Sequence, residues 1–419
     1  MPDDRIEADY LLETPTDPAR AADIVAGEQS SGTFVAVPGE TPELKARSAA
    51  RVTALDVLDD AVARRSLPSA GGEKEGERVT RAKVTLSWPL ATLGPSLPNL
   101  VATVAGNLFE LKSVSGLKLL DIRMPPAFAE AYPGPRFGIE GTRRLAGVQD
   151  RPLIGTIVKP SVGLDAEATA ALVERLCEAG IDFIKDDELQ SDGPACPFDE
   201  RVRAVMRVIE AHADRTGKKT MFAFNLTGDL DQMRRRHDTL LAHGATCLMA
   251  SLNSVGLVGM IELGRFSQLP IHAHRNGWGY LSRHPLLGWS YVAWQKLWRL
   301  AGADHMHVNG LQNKFSETDE SVIESARVCL APMFADKPCT VMPVFSSGQT
   351  ARQVPATHAA LRSADFILAA GGGIMAHPGG PAAGVRSMRQ AWDAAVAGIP
   401  LEEHARGHPE LGRALEIAA

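Results

Sequence analysis

Hydrophobic and polar residues follow a regular repeat over the last two thirds of the chain. From residue 150 onward, short apolar runs are separated by stretches in which apolar residues recur every three or four positions, the spacing of one helix face. The predicted strands are 153–159, 181–186, 219–225, 245–250, 269–274, 303–308, 339–345 and 365–370. The predicted helices include 165–179, 197–216, 229–243 and 380–396. Eight strand–helix units of this size predict a TIM (β/α)8 barrel, and a doubly wound open sheet is the alternative.

The first 130 residues mix shorter patterns of both kinds. The predicted elements are an amphipathic helix over Arg47–Arg64, strands over Val79–Trp88 and Val101–Thr103, and a loop over Ser66–Arg78. The proline-rich stretch Met124–Pro135 is typical of a domain boundary. We therefore predict an N-terminal α+β domain of residues 1–133 and a C-terminal barrel domain of residues 134–419.

Composition narrows the class of protein. The chain has 419 residues, of which 45% are hydrophobic and 22% charged, which is ordinary for a globular protein. A net charge of −6 without a basic stripe argues against a nucleic-acid partner. The chain has no apolar run of about 18 residues and no apolar signal segment, so we expect neither membrane insertion nor secretion. Five widely spaced cysteines without a CxxC motif predict reduced thiols and a cytoplasmic location.

Polar residues concentrate where the predicted barrel strands end. In a TIM barrel, chemistry takes place at the C-terminal ends of the strands. These ends carry Lys159, Lys185-Asp186-Asp187-Glu188, Asn225, His272-Ala273-His274-Arg275, His305-Met306-His307, Ser346-Ser347-Gly348 and Gly371-Gly372-Gly373. Any one of them has a structural explanation as a helix cap or solvated loop. Together, the lysines, histidines and arginine predict an active site.

The segment Lys185–Glu188 has the most specific chemistry. Alternation along a strand places Lys185 and Asp187 on one face, and Glu188 can reach the same point where the strand ends. A lysine ammonium has no acceptor, so it binds a cation only after CO2 converts it to a carbamate. The segment would then offer three anionic oxygen ligands, which suit Mg²⁺. The structural alternative is a solvated charge cluster at a strand end.

Motifs in the same order along the chain resemble those of the RuBisCO superfamily. In the barrel, the resembling segments are Gly155-Thr156-Ile157-Val158-Lys159-Pro160, Lys185-Asp186-Asp187-Glu188, His272-Ala273-His274-Arg275, His305-Met306-His307 followed by Lys314, Ser346-Ser347-Gly348 and Gly371-Gly372-Gly373. In the N-terminal part they are Glu28 through Gly32-Thr33-Phe34, and Gly106-Asn107-Leu108-Phe109. The resemblance implies a TIM barrel preceded by a ferredoxin-like α+β domain.

The resemblance also implies a set of site residues. The implied catalytic residues are Lys159, Lys185, His274 and Lys314, and the implied metal ligands are Lys185 as its carbamate, Asp187 and Glu188. The implied substrate- and phosphate-binding residues are Glu28, Thr33, Asn107, Arg275, His307, Ser346, Gly348, Gly371 and Gly372. We expect His272 and His305 to be structural. The family further implies Mg²⁺, CO2 for carbamylation, and a homodimer in which the small domain completes the partner's active site.

Several departures from the family pattern argue against a ribulose bisphosphate carboxylase. Ser161 stands where the family motif of the first barrel strand has its second lysine, and Phe34 stands where the family has a tryptophan after Thr33. The loop after the sixth barrel strand, which is mobile in the family, keeps Lys314 but lacks a neighbouring glycine. Asn276-Gly277-Trp278-Gly279 replaces the residues that usually follow the arginine. Without the second lysine and with an altered loop, the chain resembles a RuBisCO-like protein.

The branch with these features implies decarboxylation of a 3-oxo sugar-acid phosphate in carbohydrate catabolism. The expected reaction converts 3-oxo-isoapionate 4-phosphate to erythrulose phosphate and CO2 through an enediolate. Hydrolytic cleavage of the same oxo acid is a related possibility that the sequence does not separate. The alternatives are an enolase or isomerase of a methylthio-sugar phosphate in methionine salvage, and a non-catalytic relative that binds a sugar phosphate.

Overall fold

The computed structural model describes residues 4–32, 38–58, 64–69, 72 and 77–416. In this part of the chain the strands are β1 (Arg5–Thr14), β2 (Arg51–Val57), β3 (Thr80–Pro89), β4 (Gly116–Arg123), β5 (Leu153–Ile157), β6 (Phe183–Lys185), β7 (Met221–Asn225), β8 (Cys247–Ser251), β9 (Ile271–His274), β10 (Leu287–Trp289), β11 (His305–His307), β12 (Met342–Phe345) and β13 (Ile367–Ala369).

The α-helices of the same residues are α1 (Pro18–Glu28), α2 (Pro42–Ser48), α3 (Leu90–Leu93), α4 (Leu97–Val104), α5 (Ala127–Ala131), α6 (Gly138–Ala146), α7 (Ala166–Glu178), α8 (Phe198–Thr216), α9 (Leu230–Ala242), α10 (Leu252–Phe266), α11 (Trp278–Ser282), α12 (Tyr291–Ala301), α13 (Asp319–Leu330), α14 (Val354–Leu361), α15 (Gly371–Met375), α16 (Pro381–Ala397), α17 (Leu401–His404) and α18 (Pro409–Glu416). Short 3₁₀ helices cover Asn107–Glu110, Ala351–Gln353 and Ala405–Gly407. No helix among the described residues is long and apolar enough to cross a membrane.

One compact unit comprises Met1–Tyr132 and Gly277–Leu297. Its sheet has the strand order β10-β4-β1-β3-β2. Strand β1 pairs antiparallel with β3 and β4, and β10 pairs parallel with β4. The inward positions of β1 are buried at every second residue, which is the pattern of a sheet with one face on a core.

The other compact unit comprises Pro133–Asn276 and Trp298–Ala419, and it contains a closed eight-stranded barrel. The strand order is β11-β12-β13-β5-β6-β7-β8-β9, and neighbouring strands are parallel. All residues of β7 and β8 are buried, as expected for strands covered on both faces. The closed barrel confirms the predicted fold class and excludes the open sheet.

Side chains fill the barrel interior. The core cluster includes Leu153, Phe183, Met221, Met249 and Met342, all without exposed surface. Burying a side chain of this size stabilises the fold by about 1.5–3 kcal/mol. Because the interior is packed, the chemistry available to this unit lies at the strand ends.

Polar caps at the starts of the barrel helices stabilise their orientation. Asp165 accepts a hydrogen bond from the first turn of α7, and Thr318 does so for α13. Asp229 and Gln232 form a reciprocal capping box at the start of α9. Each such cap contributes about 1 kcal/mol by satisfying amides that would otherwise lack a partner.

The sequence predicts the barrel better than the N-terminal unit. All eight barrel strands and the four named helices are confirmed. The strand over Val79–Trp88 is confirmed as β3, but Val101–Thr103 lies inside helix α4, so that strand prediction is wrong. The helix over Arg47–Arg64 is also wrong, because α2 ends at Ser48 and β2 follows. Its residues 59–63 lie outside the described residues, as do residues 70–71 and 73–76 of the predicted loop.

Candidate active site

The end of strand β6 places Lys185 among carboxylates. Its side chain is 1% exposed, and Nζ donates to the Asp186 carbonyl at 2.7 Å and lies 3.8 Å from Glu188 Oε2. Burial lowers the pKa of Lys185, although the charge of Glu188 opposes the shift. Burial therefore makes the neutral amine, which is the form that reacts with CO2, more accessible than in a solvated lysine.

Lys159 reaches Asp187 from the end of the neighbouring strand β5. Its Nζ donates to Asp187 Oδ2 and to Ser161 Oγ, both at 2.7 Å. Burial alone would raise the pKa of Asp187, but the hydrogen bond from Lys159 brings this pKa below its usual value. The two strand ends thus bring Lys159, Lys185, Asp187 and Glu188 into one group.

A buried ion pair fixes the backbone behind this group. The Asp186 carboxylate accepts from Arg201 Nε at 3.2 Å and from the Asn225 amide at 2.9 Å. The Asn225 side chain, at the end of β7, donates to the carbonyls of Asp187 and Glu188 at 3.3 and 3.2 Å. Because neither Asp186 nor Arg201 is exposed, losing one partner would leave the other as an uncompensated buried charge.

His274, the last residue of β9, points toward the same group. Its Nδ1 accepts from the Asn276 amide at 3.2 Å, so the ring proton of the neutral form resides on Nε2. That nitrogen lies 3.5 Å from Glu188 Oε2. Burial lowers the pKa of His274 to about 3, so the ring is a neutral Nε2–H donor at neutral pH.

Two further histidines connect β9 to β11. His272 and His307 face each other through their Nε2 atoms at 2.7 Å, and His307 Nδ1 lies 3.0 Å from Ser346 Oγ. Burial lowers the pKa of both well below the usual value. His305 contacts Thr142 Oγ1 at 2.8 Å inside the barrel, and burial lowers its pKa to about 3. These rings are therefore neutral polar links across the barrel interior.

Arg275 pairs with a carboxylate that sequence reasoning misses. Its Nη2 donates to Glu317 Oε2 at 2.5 Å across 42 positions of sequence. Nothing in the local pattern brings these residues together, because Glu317 lies in the irregular segment between β11 and α13. The sequence feature that could have indicated this pair is an acidic residue, Glu317, three positions after Lys314.

The segment that carries Lys314 runs beside the end of β12. The Lys314 amide donates to the Ser347 carbonyl at 3.3 Å, and Lys314 Nζ lies 5.2 Å from the centre of the Phe315 ring. Gly348 adopts a left-handed φ of 88°, and a Cβ there would contact the Lys314 backbone. The structure thus brings the predicted residues Ser346, Gly348 and Lys314 into neighbouring segments.

The glycines after β13 are at the adjoining strand end. The Ala370 amide donates to the Gly155 carbonyl at 2.9 Å, which ties this turn to β5, the strand that precedes Lys159. A Cβ at Gly372 would meet nothing within 4 Å, so its backbone borders open space. Successive backbone amides beside open space can bind an anionic ligand.

Two of the three predicted residues of the small domain, Glu28 and Asn107, lie within the described residues. Glu28 ends α1, and Asn107 begins the 3₁₀ helix that ends at Glu110. Gln29, with its amide oriented to satisfy both neighbours, accepts from the Asn107 amide at 3.1 Å and donates to the Ala102 carbonyl at 2.9 Å. Thr33 and Phe34 lie outside the described residues.

The donor set fits Mg²⁺ only when Lys185 is modified. Among the described residues, no three His, Cys, Asp or Glu side chains cluster in a way that holds a metal ion. Asp187 and Glu188 supply two carboxylates beside the buried Lys185 amine. A carbamate on Lys185 would supply the third anionic oxygen ligand, and an all-oxygen set is the preference of Mg²⁺.

Comparison with known protein families identifies the class of protein to which this chain belongs. Residues 138–418 match the catalytic domain of the ribulose bisphosphate carboxylase large chain, and residues 8–128 match its N-terminal domain. The chain belongs to the RuBisCO large-chain family. A RuBisCO-like protein from Burkholderia fungorum has a solved structure with a TM-score of 0.93 and 51% identity, covering 99% of this chain and 100% of that one.

Two curated relatives carry specific activities in their names. A 3-oxo-isoapionate-4-phosphate transcarboxylase/hydrolase from Xanthobacter autotrophicus is 59% identical, covering 98% of this chain and 99% of the relative. A 3-oxo-isoapionate-4-phosphate decarboxylase from Rhizobium etli is 45% identical, covering 97% of each chain. Both names give 3-oxo-isoapionate 4-phosphate as the substrate.

Proposed function

We propose that this protein is an enzyme that cleaves the bond to the carboxylate of a 3-oxo sugar-acid phosphate, with 3-oxo-isoapionate 4-phosphate as substrate. The single observation that carries the proposal is the grouping of Lys159, Lys185, Asp187 and Glu188 at two adjacent strand ends. The names of the two curated relatives support the substrate. They do not favour a methylthio-sugar phosphate or a non-catalytic role.

Lys185 as its carbamate, Asp187 and Glu188 would hold Mg²⁺. The ion, when bound, would act as a Lewis acid that favours negative charge on the substrate's ketone and neighbouring hydroxyl oxygens. Burial lowers the pKa of Lys185, and this supports carbamylation, because an ammonium cannot add to CO2. The cofactors of the proposal are therefore Mg²⁺ and one CO2 that stays on Lys185.

The chain's own residues would manage the electrons and protons of decarboxylation. The bond between the carboxylate and the adjacent carbon breaks, CO2 leaves, and the electron pair remains as an enediolate. Lys159 lies at the site in hydrogen-bonding contact with Asp187 and would deliver the proton that converts the enediolate to erythrulose phosphate. His274, a neutral Nε2–H donor, would hydrogen-bond a substrate oxygen. Lys314 would hold the departing carboxylate, and His307 and Ser346 would contact the substrate.

The substrate phosphate would bind where glycines expose backbone amides. Gly348, Gly371 and Gly372, which follow β12 and β13, would provide such amides. Glycine lets an anion approach the main chain closely, and successive amides form an anion-binding concavity. This position is consistent with the general use of the last two strand ends of TIM barrels for phosphate.

A second candidate reaction is transcarboxylation followed by hydrolysis. The relative that is 59% identical carries this activity in its name, whereas the decarboxylase relative is 45% identical. Loss of the carboxylate to form the enediolate would be shared by both reactions. They differ in whether the carboxyl carbon is released or joined to another carbon of the substrate.

The proposal also includes a homodimer with shared active sites. It further holds that the enzyme does not carboxylate ribulose bisphosphate. Glu28, Thr33 and Asn107 would complete the site of a partner subunit. Ser161 stands where the family pattern has a second lysine, and it accepts a hydrogen bond from Lys159. The end of β5 therefore holds one cation instead of two. Proton abstraction and CO2 capture by a carboxylase would therefore lack a residue that the family pattern supplies.

The deciding experiment follows 3-oxo-isoapionate 4-phosphate, labelled with ¹³C in its carboxyl group, by NMR with the purified protein, Mg²⁺ and bicarbonate in D2O. Decarboxylation predicts label in CO2 and bicarbonate, with a deuterated ketose phosphate. Transcarboxylation and hydrolysis predict label in a new carboxylic acid and no ketose phosphate. An unchanged substrate signal would contradict the proposed function.

A further inference from the structure

Arg275 does not face the site as an isolated cation. Its side chain is 7% exposed, and it lies 2.5 Å from the carboxylate of Glu317, which is 14% exposed. Both residues belong to the barrel unit, with Arg275 directly after β9 and Glu317 two residues before α13. A charge-assisted contact of this length in a mostly buried position neutralises much of the arginine's charge.

Other contacts hold the Glu317 carboxylate in place. Asn309 Nδ2 donates to Oε2 at 2.7 Å, and Ser321 Oγ donates to Oε1 at 2.9 Å. Asn309 in turn accepts from Ser347 Oγ at 2.8 Å. With Arg275, three donors converge on one carboxylate, so Glu317 is a fixed part of this end of the site.

The backbone of these supporting residues is unusual. Asn309 has a φ of 66° and Ser347 a φ of 69°, both in the left-handed region that favours glycine. A residue with a side chain is conformationally strained in this region. Here the two side chains hydrogen-bond each other, and one of them hydrogen-bonds Glu317, so the strained positions are joined to the carboxylate.

A fixed carboxylate on Arg275 changes which ligand groups this end accepts. A phosphate monoester carries about −1.5 to −2 charge at neutral pH and would meet an arginine already paired with Glu317. It would also lie beside the Glu317 charge in a poorly solvated position, where repulsion between like charges is strong. An uncharged hydroxyl has no such penalty and can still hydrogen-bond the guanidinium.

We propose that Glu317 is a specificity-determining residue that makes the Arg275 end of the site accept a hydroxyl-bearing end of the substrate and reject a second phosphate. The inference rests on the proposed function, in which the single phosphate binds at Gly348, Gly371 and Gly372. It replaces the sequence-based assignment of Arg275 to phosphate binding. The family is named for a bisphosphate substrate, whereas the named substrate of the two curated relatives carries one phosphate.

The test compares the binding of ribulose 1,5-bisphosphate and ribulose 5-phosphate by calorimetry, with Mg²⁺ and bicarbonate present. The native protein should bind the two compounds with similar affinity. Glu317→Gln removes the charge and keeps the side-chain shape, so it should increase the preference for the bisphosphate by about tenfold or more, as expected when a charge-assisted contact becomes available. The ratio of the two affinities cancels any general loss of site integrity.

Ser321→Ala is the matched control, because it removes one donor to Glu317 and leaves the negative charge in place. It should leave the affinity ratio at its native value. A native protein that already prefers the bisphosphate by tenfold or more would overturn the proposal, and that result requires no variant to fold. An unchanged ratio in a folded Glu317→Gln protein would overturn it as well. Because binding needs no turnover, these outcomes are independent of whether 3-oxo-isoapionate 4-phosphate is converted.

Discussion

Two groups of side chains in the barrel unit differ in their balance of charge. They are the Lys185 group, with Lys159, Asp187 and Glu188, and the Arg275 group, with Glu317. At the first, two carboxylates of adjacent residues and a buried amine lie together, which favours the uptake of a cation once the amine becomes a carbamate. At the second, one carboxylate is fixed on one guanidinium, which leaves little net charge. The identity of a charged residue therefore does not define its role, because its nearest partner decides what it can bind.

The largest expected effect comes from Lys185→Ala. This change removes the lysine that would supply the third anionic ligand, so we expect activity on the oxo acid phosphate to fall by at least about a thousandfold, the scale of losing electrostatic stabilisation of the transition state. Steady-state assays over a range of Mg²⁺ and bicarbonate concentrations would measure it. Thermal unfolding serves as the control for folding, and full activity in this variant would rule out the carbamate.

Lys159→Met tests proton delivery at the same group. Methionine keeps the length of the side chain and removes the ammonium, so we expect kcat to fall by about a hundredfold to ten-thousandfold, the range for losing a general acid. KM should change little, because Lys185, Asp187 and Glu188 remain. Release of ¹³CO2 together with slow deuterium incorporation would indicate that protonation is impaired. A kcat within threefold of the native value would contradict the role of Lys159.

His305→Gln tests whether this buried histidine of the barrel is uncharged. Burial lowers the pKa of His305 from 6.5 to about 3, so below pH 6.5 the unfolded chain binds a proton that the folded chain does not. The native protein therefore loses stability as the pH falls, by about 2 kcal/mol at pH 5 from this residue. Denaturant unfolding at pH 7.5 and pH 5 should show a smaller loss in the variant. An identical pH dependence would show that His305 does not contribute.

The smallest effect is expected for Ser161→Ala. Ser161 Oγ accepts one hydrogen bond from Lys159, whose side chain is 42% exposed and partly solvated. Losing this contact should lower kcat by about threefold to tenfold, with KM nearly unchanged. Ser161→Thr keeps the hydroxyl and should restore the native rate. If both variants behave alike, the hydroxyl does not position Lys159.

The barrel was predictable because its signal is local and repeated. Buried parallel strands read as apolar runs, and the charged residues that follow them identify one rim of the barrel. The group of Lys159, Lys185, Asp187 and Glu188 was predictable for the same reason, since adjacent strands end together. Their roles in catalysis stay predictions, as do the domain boundary and the partner-subunit roles of Glu28, Thr33 and Asn107.

The failures occurred where tertiary contacts override the local pattern. Arg51–Val57 has apolar residues near helical spacing, but pairing with β3 makes it an edge strand. Val101–Thr103 is rich in strand-forming residues, but the Ser96 cap and Pro98 favour helix α4. Glu317 was missed because its partner Arg275 is 42 residues away, and no local pattern encodes that contact.

The most direct test of the central claim is ¹³C NMR of the protein with ¹³C-bicarbonate and Mg²⁺. If Lys185 completes the cation site, the native protein should show one carbamate carbon per chain that Mg²⁺ stabilises, and Lys185→Ala should show none. Identical spectra for the two proteins would contradict the carbamate and with it the assignment of Asp187 and Glu188 as metal ligands.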